Sequence, residues 1–329
     1  MELNERIAQA VDRIDDVVKE YDIKAVYALF SGGDDSTVTA YLASHHPLFA
    51  GCVFANTLTG DIETVRYVRE TCAARGWPLE ERKPHYLHRY PAFLATWGVP
   101  TPAMHPILFN NLKGKQFDKA RVKLAKEHGC KSKEVLLVSG VRRGESTRRQ
   151  RTVQPVTIMR DARKNVRSVW CALIYDYLRD DLEGVLNAGV IQRNAHAQLF
   201  AASRECGCKA TEGRQDAMIE EASFPVYWER RRLQYALAQA AYALQEFEVE
   251  HGLIDREDAR IPAYGVRDRD TFHADEIDAG YFDALPPGES PDSVDGVPFL
   301  CVGCENQAGV IDGDKLIKHL VEKKRRGTE

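Results

Sequence analysis

Three groups of residues in this chain combine the types and spacing that chemistry needs. The first is Ser31, Gly32, Gly33, Asp34, Asp35, Ser36 and Thr37, which follow the apolar run Ala25 to Phe30. Paired glycines let the backbone turn sharply and approach a ligand closely. A helix opening directly after them aims its free N–H groups and positive dipole end at the same point. Such a nest suits a phosphate. The hydroxyls of Ser31, Ser36 and Thr37 add donors, and an aspartate beside them can hold a magnesium ion that bridges phosphate oxygens. Neither G-x-x-x-x-G-K-[ST] nor G-x-G-x-x-G occurs, so the common phosphate-loop and dinucleotide fingerprints are absent.

The second group follows another apolar run, Val135 to Val138. It holds Gly140, Arg142, Arg143, Glu145, Ser146, Arg148, Arg149 and Arg151. Guanidinium forks grip phosphate and sulfate oxygens in pairs and stay charged at any ordinary pH. From Arg142 to Arg167 there are nine basic and two acidic residues, a local balance of +7. That segment is where a polynucleotide would be met in a chain whose net charge is only −4. The third group is cysteine. Cys206-x-Cys208 and Cys301-x-x-Cys304 supply four thiolates, the number required by a structural zinc or an iron–sulfur cluster. Sharing one ion requires the intervening chain to loop out and return. Leu253 to Pro298, with twelve acidic and four basic residues and many Pro and Gly, has the composition of a solvated excursion.

The elements that must position these groups alternate. Ile7, Val11, Ile14 and Val18 recur at helical spacing and predict an amphipathic first helix. Strand, helix, strand, helix, strand, helix and strand then follow from Ala25 to Gly140. That order implies parallel crossovers and a doubly wound α/β sheet with helices on both faces. Ligands of such sheets sit at the carboxyl ends of strands, where the glycine turn and the arginine segment both fall. From about Trp170 the pattern reads as helical. Leu233, Leu237, Ala240, Leu244 and Phe247 mark one face of a long helix. We therefore expect a nucleotide-binding α/β domain over residues 1–168 and a helical, loop-rich, cysteine-containing region over 169–329.

Taken together, these segments resemble the PP-loop ATP pyrophosphatases, in the branch that contains phosphoadenosine phosphosulfate (PAPS) reductases. "SGGDDS" fits the S-G-G-x-D-S signature, with Asp35 in its fixed place. "VFANTLTGDIETVRYV" resembles the second-strand segment, with Asn56 replacing the usual Asp. "WGVPTPAMHPILFNNLKGK" resembles the G-x-P to L-K stretch, and "VSGVRRGESTRR" fits G-x-R-x-x-E-S-x-x-R. "NAHAQLFAASRECGC" is similar to a stretch of the sulfur-modifying members. The resemblance spans roughly Ala25 to Cys208. It implies an adenine nucleotide alpha hydrolase-like fold, ATP with Mg²⁺, and phosphate contacts from Ser31 to Thr37. It further implies nucleotide contacts at Asn56, Thr57, Gly140, Arg142, Glu145 and Ser146, and catalytic roles for Asp35, Arg142 and Arg149. Four-iron clusters in kindred enzymes add a 4Fe-4S alternative to Zn²⁺ at the four cysteines.

Three functions fit this reading. One adenylates an acceptor with ATP, releases pyrophosphate and lets sulfur from a donor protein replace the adenylate, with nucleic acid as an acceptor, as in DNA phosphorothioation or tRNA thiolation. Another is a sulfonucleotide reductase, although the usual C-terminal E-C-G-x-H motif is missing from "EKKRRGTE". The third is a non-catalytic nucleotide-binding module. The start "MELNERIAQA" lacks the layout of a signal peptide and no apolar run approaches a membrane span, so a cytoplasmic protein without a membrane partner is expected. Gly33→Val is expected to abolish ATP binding with the fold intact.

Overall fold

The computed structural model describes residues 2–101, 104–145, 153–160, 163–200, 202–208 and 220–263, together with the paired backbones of 293–294 and 297–298. The described residues form two compact units. The first comprises the chain up to Pro84 with Leu112–Cys206, and the second comprises His85–Asn111 with the chain from Gly207.

In the first unit, helix α1 (Leu3–Tyr21) precedes β1 (Ala25–Leu29), α2 (Asp34–Ala43), β2 (Phe49–Ala55), α3 (Ile62–Arg75) and β3 (Leu79–Arg82). Two short helices of the second unit follow, α4 (Tyr90–Trp97) and α5 (His105–Phe109). The first unit resumes with α6 (Lys115–Glu127), β4 (Val135–Ser139), β5 (Val156–Arg160), β6 (Val166–Ala172), α7 (Arg179–Leu186) and α8 (Ala195–Phe200). The sheet order is β3-β2-β1-β4-β6-β5, parallel throughout except for β5, which runs antiparallel to β6. The α/β architecture expected from sequence is the one observed, with one antiparallel edge added.

Alternation along the strands explains the two covered faces. Val26, Ala28, Leu136, Val138, Val169 and Cys171 share a core with Ala10, Ile14 and Val17 of α1, Val38 and Leu42 of α2, and Leu182 and Val185 of α7. Trp170 points to the opposite face, as the period of two requires, and meets Phe117 of α6 edge-on with ring centroids 6.0 Å apart. The guanidinium of Arg121 lies 4.6 Å from the Trp170 ring, and burial lowers its pKa from the usual value to about 10. Arg121 therefore packs inward, whereas its sequence neighbours Lys119 and Lys123 are exposed.

Two local expectations are corrected. Val166–Ala172 is a strand, not the start of a helix. Its apolar residues continue into Leu173 and Ile174, and an unbroken run of that kind does not separate strand from buried helix by period alone. Pairing with β4 on one side and β5 on the other decides the matter. In the second unit, the long helix α9 (Pro225–Glu250) exists as expected but turns its other face inward. Tyr227, Arg231, Tyr235, Ala238 and Gln245 are buried, whereas Leu233 and Leu244 are 60% and 59% exposed. The inward polar groups are satisfied. Arg231 Nε donates to Glu220 at 2.6 Å, and Gln245 bonds the backbone of Arg260 and Ile261.

Candidate nucleotide site

The strand order reverses between β1 and β4, so the crossovers leave the sheet in opposite directions there and a crevice opens at the carboxyl ends of the two strands. Both sequence groups sit at that point. Gly32 has φ +83°, and a Cβ there would come within 2.9 Å of Thr64 Cγ2. Glycine is thus required twice over, by conformation and by space. Gly33 caps α2 with no side-chain hydrogen bond to the first turn. Ser36 closes the turn on itself: its hydroxyl donates to the Gly33 carbonyl at 3.0 Å and accepts from the Ser31 N–H at 3.2 Å and the Ser31 hydroxyl at 3.1 Å. Thr37 meets the Tyr67 hydroxyl at 3.2 Å, and Tyr67 donates to the Gln192 carbonyl at 2.6 Å. Burial raises the Tyr67 phenol above its ordinary pKa, which keeps it a neutral donor.

Adjacent carboxylates on this turn have different surroundings. Asp34 accepts from Arg193 at 2.6 Å and Arg179 at 3.1 Å, and both arginines also bind Glu183. That cluster ties the start of α2 to α7 and the chain after it. Asp35 instead accepts from Arg142 Nε at 2.6 Å. Arg142 leaves the end of β4 buried, beside Gly140, where a Cβ would sit 2.8 Å from the backbone of Asp35. The close approach of two backbones brings the arginine to the glycine turn. Arg143 turns away, its guanidinium 5.3 Å from the Tyr175 ring. Ser139, the last residue of β4, is buried with no hydrogen-bond partner for its hydroxyl. An unpaired donor at a strand end beside this turn fits a site made to take oxygen-rich ligands.

The loop after β2 is internally bonded. Asn56 donates to Glu81 at 2.9 Å, and its oxygen accepts from the Leu58 N–H. Thr57, fully buried, donates to the Glu205 carbonyl at 2.7 Å. A Cβ at Gly60 would lie 2.4 Å from that same carbonyl oxygen. Asp61 is fully buried and accepts from Arg204 Nε at 2.8 Å, with His196 Nε2 at 2.9 Å. Thr64 donates to the Ser203 carbonyl at 2.7 Å, and Asn194 donates to the Gly32 carbonyl at 2.9 Å. The segment 194–206 therefore clamps both the glycine turn and the β2 loop. Within it, Glu205 binds Lys113 and the Ser203 hydroxyl. Lys113 and Glu205, with Ser31, line a small cleft at the ends of β1 and β2 that is otherwise apolar, formed by Leu29, Phe30, Val53, Phe54, Ala55 and Phe117.

The structure thus brings together Ser31, Gly32, Gly33, Asp34, Asp35, Ser36 and Thr37 with Gly140 and Arg142. Asn56 and Thr57 lie one strand away with their side chains engaged. Ser146 and Arg149 lie outside the described residues, as does the side chain of Glu145. Cys301 and Cys304 do too. Cys208 is buried and Cys206 half-buried, its sulfur 3.7 Å from the Thr59 hydroxyl. Among the described residues no three metal-ligating side chains cluster. Sequence reasoning missed Asp61, Arg179, Arg193 and Arg204, whose partners are more than a hundred positions distant in every case but Arg193 and Arg179 with Glu183.

No family model matches the chain, and no curated protein matches it. Among solved structures, the phosphoadenylyl-sulfate (PAPS) reductase of Candida auris in a phosphate complex is similar over 58% of this chain and 83% of its own, with 16% identity and a TM-score of 0.41. A likeness that distant carries no weight for the site, which stands on its own geometry.

Proposed function

We propose that this chain is a PAPS reductase-like PP-loop enzyme that binds ATP at the β1–β4 switch point and adenylates an acceptor for sulfur transfer. The observation that carries the reading is the side-chain-free turn Gly32-Gly33 at the start of α2, with Arg142 brought over from β4. Backbone N–H groups of the turn and of α2 hold the phosphates, and Arg142 shares its guanidinium between Asp35 and a phosphate oxygen. Asp35, partly exposed beside Arg142, would hold the magnesium that accompanies ATP, and the ion would supply further neutralisation of phosphate charge.

In the reaction an acceptor oxygen attacks the α-phosphorus. The bond from that phosphorus to the bridging oxygen breaks, and pyrophosphate leaves with the electron pair. A persulfide carried by a donor protein then attacks the acceptor atom that bears the adenylate, AMP leaves with that atom's former oxygen, and a second thiol of the donor cleaves the remaining S–S bond, so that the donor ends as a disulfide and the sulfur stays on the acceptor. The positive segment Arg142–Arg167 is where a nucleic-acid acceptor is met, through its phosphates. Arg149 adds a second guanidinium to the transferring phosphate. The four cysteines would hold zinc or a 4Fe-4S cluster, and metal analysis with a visible spectrum after anaerobic purification tests that assignment.

Incubation with ATP and magnesium, with and without single-stranded DNA or tRNA, tests the function. Release of pyrophosphate and AMP, increased by one acceptor, is the expected result. Release of inorganic phosphate and ADP alone overturns it.

A further inference from the structure

The helix α9 carries an apolar stripe on the side turned away from its own unit's core. Val226 is 76% exposed, Leu233 60%, Leu244 59% and Phe247 51%, with Leu237 and Ala240 between them also exposed. The spacing from Leu233 to Phe247 alternates steps of four and three, the seam of a helix that packs along its length against another helix. From Val226 to Phe247 the stripe is about 30 Å long at the rise of an α-helix. Exposed apolar surface of this extent marks an interaction site.

Charge along the same helix names the occupant. Its first part carries Arg230, Arg231 and Arg232 against one acid, Glu229, and its last part carries Glu246, Glu248 and Glu250, of which Glu246 is bound by Arg256 while Glu248 and Glu250 flank the stripe. Arg231 is buried against Glu220 and Arg230 lies over the Tyr227 ring, whereas Arg232 is exposed on the flank of the stripe, 3.5 Å from the equally exposed Glu229. A second copy laid antiparallel sets the arginines of each helix beside the glutamates of the other. A parallel copy would set like charges together. A two-fold axis across the helix middle produces the antiparallel arrangement and makes the patch its own complement. Ala236, Ala240 and Ala243 near that middle leave room for close approach. We infer that α9 pairs antiparallel with α9 of a second copy, so that the protein is a two-fold homodimer.

The test is sedimentation equilibrium of the full chain over a concentration series, with circular dichroism to confirm that each variant is folded. Wild type is expected to be a dimer in the micromolar range. Leu233→Glu with Leu244→Glu, on a face already in water, should stay folded and raise the dimer dissociation constant at least about tenfold. Arg232→Glu alone and Glu250→Arg alone, on the same flank of the stripe, should each weaken the dimer by about two- to fivefold, and the double exchange should restore it. A monomeric wild-type chain overturns the inference, as does a dimer that the Leu233→Glu, Leu244→Glu variant leaves unchanged. A dimer weakened by the leucine changes but not restored by the double exchange overturns the antiparallel pairing.

Discussion

The turn after β1 and the loop after β2 stand side by side at the same end of the sheet, and they use polar groups in opposite ways. At Ser31–Ser36 the bonds close the turn from behind, through Ser36 and through Asn194 on the Gly32 carbonyl, while Gly33 caps α2 without a side-chain bond. At Asn56–Asp61 the side chains are committed to Glu81, Glu205, His196 and Arg204. One loop leaves the start of α2 without a side-chain cap, and the other commits its side chains to the chain that shapes the first. Motif membership alone does not separate the two, because both fall within family-like segments.

That division can be broken from either side. The largest effect is expected from Asp61→Ala, which leaves Arg204 buried without this carboxylate. A loss of about 3–5 kcal/mol in unfolding free energy is expected from urea denaturation. Next is Asp35→Asn on the open turn. Magnesium-dependent ATP turnover should fall about hundredfold or more, with a smaller loss of stability than Asp61→Ala because Asp35 is partly exposed and Asn keeps an acceptor for Arg142. Turnover that survives would place the metal elsewhere. Thr57→Val should cost about 1–3 kcal/mol through the unpaired Glu205 carbonyl, yet leave ATP affinity near wild type in calorimetry. A large loss of affinity in a stable Thr57→Val protein would make the β2 loop a ligand-contacting one after all.

The smallest effect concerns pH. The hydrogen bond from Arg69, helped by Asn56, holds the Glu81 carboxyl below its ordinary value. A depressed carboxyl adds stability above its unfolded pKa and loses it as pH falls through the folded one. Arg69 is about half exposed, so Glu81→Gln should remove only about 0.2–1 kcal/mol at neutral pH and nothing in acid. Thermal melts at pH 7 and pH 3 measure this.

The alternation of strands and helices to Gly140 was legible because each element carries its own period and its own turn residues. The glycine turn was legible for the same reason: its chemistry is local. What escaped was decided by distant partners. The chain from about Trp170 reads as helix until β4 and β5 flank Val166–Ala172 as a strand. Lys113 fits an exposed helix and a substrate-facing site alike until Glu205, 92 positions on, takes it inward. Asp34 and Asp35 are indistinguishable in a string of letters, and only Arg193 and Arg142 give them separate tasks. Gly33→Val, which looks neutral to the fold in sequence, would press on Ser203, whose Cβ lies 3.0 Å from the added carbon. It would disturb the clamp together with the turn.

The bond from Asn194 to the Gly32 carbonyl joins residues 162 positions apart, and it has a consequence for how the protein is made. On the ribosome, the β1 turn emerges early and then waits for β4, for Arg142 and finally for the segment 194–206 before its shape is enforced. Contacts of such long range form late and slowly. A nascent chain therefore carries the signature residues without the turn's final shape until more than half of it has been translated.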